Sequence, residues 1–95
     1  MDFNASLRKA VKTGTVLLGQ NKTQESIEEG KAKLIVVARN SPESVKNLVT
    51  EIDIPVYVYE GSSVQLGKAC GRPYVVSALA VVEPGESDIL NAARV

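Results

Sequence analysis

Two periods of apolar residues divide this chain. Phe3, Leu7, Ala10 and Val11 recur at helical spacing, with Asp2 as N-cap and Thr13-Gly14 as the stop. Thr15–Leu18 is a short apolar run that ends in Gly19, and Gln20–Glu29 reads as a second helix stopped by Gly30. Lys33–Ala38 is continuously apolar, the pattern of a strand covered on both faces. Ser41-Pro42-Glu43 starts another helix, with cap, proline and first-turn acid in order, and Val45, Leu48, Val49 and Ile52 form its stripe. Ile54–Tyr59 predicts a strand with Pro55 at its entry. Ser62-Ser63-Val64-Gln65 fits a capping box for a helix that runs to about Cys70, where Gly71-Arg72-Pro73 breaks it. Val75–Val82 predicts the most apolar strand, Pro84-Gly85 a turn, and Ser87-Asp88 the cap of a short last helix.

Helices and strands thus alternate with short connections. This predicts an α/β fold, a three-layer α-β-α sandwich around a four-stranded mixed sheet, in a single domain over residues 1–95. Loops at one end of such a sheet commonly carry the ligand site. Here they are Leu18–Thr23, Arg39–Ser41 and Glu60–Ser63. The segment Gly71–Val76 enters a strand, so it joins that end only if its strand runs against the others.

Composition narrows the chemistry. The chain has no histidine and one cysteine, which removes the commonest general base, the Ser-His-Asp and Cys-His arrangements and any ordinary transition-metal site. Cys70 lies in an apolar helix and reads as a small core residue. Neither a metal nor a cofactor is expected. No run approaches the roughly 20 apolar residues of a membrane span, and no membrane partner is expected. A lone cysteine suits a reducing cytoplasm. Formal net charge is zero, which argues against a non-specific nucleic-acid coat, yet residues 31–40 and 61–80 carry bases without acids.

Two glycine spacings approach a phosphate loop and fail. Gly14 and Gly19 have the right gap, but Gln20 and Asn21 replace the lysine and hydroxyl residue. Gly61 to Gly67-Lys68 is one residue too long and continues with Ala69. What remains is recognition. A strand feeding a helix through Gly19 exposes N–H groups that favour anions, and Asn21 and Lys22 stand beside them as an amide and a cation. Asn40 is either a turn residue or a further polar contact. Arg72 can hold a phosphate, and Tyr74 can stack on an unpaired base or be partly buried at a strand entrance.

Leu18-Gly19-Gln20-Asn21-Lys22-Thr23, followed by Gly30-Lys31-Ala32-Lys33-Leu34-Ile35-Val36-Val37-Ala38-Arg39-Asn40, resembles the kink-turn-binding ribosomal protein superfamily. The block from Gly71-Arg72-Pro73-Tyr74-Val75-Val76 to Asp88-Ile89-Leu90 is similar to a large-subunit ribosomal branch of it, in archaeal form. The resemblance implies a non-catalytic protein of the cytoplasmic ribosome. Its partners would be ribosomal RNA with a kink-turn and neighbouring ribosomal proteins, and a monomer is the default for the free chain. It further implies that Leu18, Gly19, Asn21 and Lys22 face tandem sheared G·A pairs and nearby phosphates. Asn40 would touch a base or sugar, and Arg72, Tyr74 and Val76 would receive a looped-out nucleotide. Many members of the wider superfamily carry Glu after the Asn and Lys three residues later, where this chain has Lys22 and Glu25. Two other readings stay open from the residues: a kink-turn regulator or component of another ribonucleoprotein, and a small nucleotide-binding or enzymatic α/β domain.

Overall fold

A computed structural model describes residues 3–39 and 54–90. Its elements are α1 (Phe3–Thr13), β1 (Thr15–Leu18), α2 (Gln20–Glu28), β2 (Leu34–Ala38), β3 (Val56–Tyr59), α3 (Ser63–Ala69) and β4 (Ala78–Glu83). The helix expected after Ser41, the Asp2 cap and Asn40 lie outside the described residues. The strands form one four-stranded sheet in the order β1-β4-β2-β3. β2 and β3 are parallel, whereas β4 runs antiparallel to both β1 and β2. The sheet is therefore mixed, as expected.

Alternation along the strands divides the core between the two faces of the sheet. Leu34, Val36, Leu79 and Val81 pack with Leu7 and Ala10 of α1 and with Leu66, Ala69 and Cys70 at α3. Ile35, Val37, Ala78 and Ala80 form the opposite face, against which Ile27 of α2 packs. Helices thus cover both faces. All five residues of β2 are buried, which explains why its sequence shows no polar alternation.

β2 starts at Leu34 and β4 ends at Glu83, each one residue from the sequence reading, and two strand starts differ by more. β3 starts at Val56, because Pro55 has no N–H and joins the ladder only through its carbonyl, which accepts from Ile35 N–H at 3.0 Å. β4 starts at Ala78, three residues later than the apolar pattern suggests. Val76 N–H is already committed to the Ser63 carbonyl on α3 at 3.0 Å, so Val75–Ser77 folds over the helix before the strand begins.

α3 holds that loop from both ends. Ser62 and Gln65 form the reciprocal capping box that the sequence predicts. At the other end Arg72 N–H donates to the Gly67 carbonyl at 3.0 Å and Gly71 N–H to the Lys68 carbonyl at 2.9 Å, with Gly71 at φ 75°. This is a Schellman stop, which satisfies the last helical carbonyls and turns the chain back over α3. Gly67 makes the return possible, because a Cβ there would land on the carbonyl oxygen of Tyr74.

Two expectations follow. Gly67→Ala improves intrinsic helix propensity by about 1 kcal/mol, yet it must lift the Tyr74–Val75 loop. Chemical denaturation should therefore show a net loss of stability, and a net gain would mean that the loop is not seated on α3. Burial raises the Cys70 thiol from 9.0 to about 11, a rise that the Arg72 charge only partly opposes. The fold thus favours the protonated thiol. Its contribution to stability is whole below pH 9.0 and is lost as pH rises through about 11. Native Cys70 should resist alkylation at neutral pH until denaturant is added, and rapid labelling of the folded protein would contradict this burial.

Candidate nucleic-acid interface

The antiparallel course of β4 decides which loops gather at the candidate end of the sheet. Leu18 pairs with Leu79, and Val37 with Ala78, so the start of β4 lies beside the ends of β1 and β2. Gly19 N–H donates to the Ala78 carbonyl at 2.9 Å, and Ala38 N–H to the Ser77 carbonyl at 2.8 Å. Arg39 N–H reaches the Gly61 carbonyl at 3.3 Å. The condition for the Gly71–Val76 segment to join the other loops is met. Four segments converge: Gly19–Lys22, Arg39, Glu60–Ser63 and Arg72–Ser77.

The first contributor is the β1–α2 junction. Gly19 is the N-cap of α2 at φ 106°, ψ 156°, a region that only glycine occupies without strain, and no side chain caps the helix. A Cβ on Gly19 would meet nothing within 4 Å. The glycine is therefore required by backbone conformation, and the space before the helix is open. Thr23 N–H is the first to close a helical bond, donating to the Gly19 carbonyl at 3.0 Å. The first turn carries no acid, so nothing opposes an incoming anion there. Asn21 and Lys22 are exposed on this turn, whereas Leu18 is half-buried against the core. Gly14 lies at the other end of β1, so Gly14 and Gly19 cannot belong to one phosphate loop.

The second contributor is the loop on α3. Arg72 and Pro73 are exposed, and Tyr74 and Val75 expose 55% and 58% of their surfaces. With Val64, which is 49% exposed, they account for three of the four large apolar side chains most exposed among the described residues. These three, with Lys68, Arg72 and Pro73, line a hollow of about 150 Å³. Tyr74 is thus an available ring rather than a partly buried one. Val76 behaves differently: it is 1% exposed and belongs to the core. The side-chain surface expected of Val76 is supplied by Val75, because the turn onto α3 points Val76 inward. Val64, Lys68 and Val75 were not singled out by the sequence. A valine before a strand and two positions on a helix carry no signal until the loop is folded against them.

Comparison with known proteins identifies a family. The model of the Ribosomal protein L7Ae/L30e/S12e/Gadd45 family matches residues 1–91. The large ribosomal subunit protein eL30 of Methanosphaerula palustris is 62% identical over 95 residues, covering 99% of each chain. That of Methanospirillum hungatei is 58% identical over 95 residues, covering 99% of this chain and 100% of its own. That of Methanosarcina mazei is 48% identical over 92 residues, covering 97% of this chain and 89% of its own. With the family model matching residues 1–91 and relatives of this identity covering nearly the whole chain, the chain belongs to the L7Ae/L30e/S12e/Gadd45 family of ribosomal proteins.

Proposed function

We propose that this chain is a structural protein of the large ribosomal subunit that grips a kink-turn in ribosomal RNA without catalysing a reaction. Its place is the cytoplasmic ribosome, among neighbouring ribosomal proteins, and it acts as one RNA-binding domain that is monomeric when free. The observation that carries this reading is the antiparallel β4, which brings the Arg72–Val75 loop to the same end of the sheet as Gly19–Lys22. Full-length similarity to eL30 proteins supports it independently. The absence of histidine and the lack of a phosphate loop weigh against an enzyme.

In this mechanism the two loops divide the work. The open N-terminus of α2 and Lys22 hold backbone phosphates, while the Asn21 amide reads base edges at the sheared G·A pairs. Leu18 supports that turn from the core side. Asn40 adds a polar contact to a base or sugar. Arg72 holds the phosphate of the looped-out nucleotide, and its base rests on Tyr74 and Val75. Val76 anchors the loop to the core instead of facing the hollow. The order of the two side chains, Lys22 near the phosphates and Glu25 one turn further along α2, keeps an acid out of the first turn.

Titration with a kink-turn RNA, and with the same RNA in which the G·A pairs are replaced by Watson–Crick pairs, tests the proposal. Tight binding to the first and its loss with the second are expected. Equal affinity for both would contradict shape-specific recognition. Asn21→Ala should weaken binding by about 1–3 kcal/mol, the scale of one bidentate base contact. Unchanged affinity in that variant would remove Asn21 from the interface.

A further inference from the structure

Zero net charge conceals a strong segregation. Within Phe3–Thr13, α1 carries Arg8, Lys9 and Lys12 and no acid, and α3 carries Lys68 and no acid. α2, on the opposite face of the sheet, carries Glu25 and Glu28 against Lys22 alone. Lys9 lies near Asp88, whose carboxyl it helps to hold below the ordinary range after the Ser6 hydroxyl bond. Arg8 and Lys68, by contrast, make no ion pair among the described residues.

These two cations border an open cleft of about 690 Å³ between α1, α3 and the β3 edge. Its floor is aromatic. Phe3 stacks on Tyr57 with ring centroids 4.1 Å apart and 11° between planes. Tyr59 lies beside them and donates its hydroxyl to Asn4 Oδ1 at 2.9 Å. Glu60 is the one acid at the cleft wall among the described residues. Lys68 also lines the smaller hollow beside Tyr74, so this one side chain borders both depressions.

We propose that this cleft is a second RNA contact, one that takes a single strand continuing from the looped-out nucleotide. The inference rests on the kink-turn reading for the identity of the RNA. Lys68 stands where the strand leaves the hollow, Arg8 takes a phosphate on the far wall, and the half-buried aromatic floor accepts a base. Two cations without an ion-pair partner among the described residues, on a pair of acid-free helices, favour a polyanion over a protein segment, and Lys68, which lines both depressions, favours the same RNA.

The experiment compares two RNAs: the minimal kink-turn duplex, and the same duplex with a single-stranded extension of about six nucleotides at the looped-out position. With two added phosphate contacts, the slope of log affinity on log salt should be steeper by about 1.4 for the extended RNA. Between about 50 and 200 mM salt that amounts to roughly a sevenfold additional loss. Arg8→Gln should remove about half of this difference and leave the minimal RNA unaffected, and Arg8→Lys should restore it. Equal behaviour of both RNAs in the parent protein would overturn the RNA occupant and assign the cleft to a protein neighbour. Binding of the extended RNA that depends on Arg8, without affinity for the minimal duplex, would uphold the cleft and overturn the kink-turn reading. Binding of neither RNA would overturn both.

Discussion

β4 lies between β1 and β2 and runs against both, with Gly19 and Ala38 donating hydrogen bonds to its approach at Ser77 and Ala78. This pairing positions the rest of the candidate site. A parallel strand in the same slot would carry the Arg72–Ser77 loop to the other end of the sheet. There Gly14 and Gly85 bring two turns into close contact, and Thr13 Oγ1 accepts from Glu86 N–H at 3.0 Å. With β4 antiparallel, an open helix N-terminus and a loop of exposed apolar and cationic side chains share one end. Buried ladder bonds in a sheet covered by helices hold that relation more firmly than any surface contact.

Most of the frame is legible in the sequence because its punctuation is chemical. Gly19 and Gly30 bound α2, and the Ser62–Gln65 box and Gly71 bound α3, each through a backbone geometry that few residues satisfy. Direction is not legible in this way. An apolar run such as Val75–Val82 reads the same from either end, so the orientation of β4 waits on tertiary pairing. The start of that strand is misjudged for a related reason. Val75 and Val76 have the residue type of a strand, but a helix carbonyl claims the Val76 amide before the sheet does.

The candidate site divides along the same line. Gly19, Asn21 and Lys22 depend on local geometry and stand where the sequence suggests. Arg72 and Tyr74 require the fold to acquire their setting. Val75 faces outward and Val76 inward because the turn over Gly67 decides which of them reaches the surface. Charge behaves likewise. Blocks of ten residues along the chain miss the basic α1–α3 surface, whose members are over fifty residues apart in sequence and become neighbours only across the sheet face they share.

Recognition of one RNA by two loops distant in sequence would leave a joint signature along the backbone. Backbone amide chemical shifts followed by NMR during titration with a kink-turn RNA test it most directly. The amides of Gly19, Asn21 and Lys22 and those of Arg72, Tyr74 and Val75 should shift together, at one stoichiometry. Gly14 and Gly85, at the opposite end, should stay in place. A response confined to one of the two loops, or centred on Gly14 and Gly85, would contradict it.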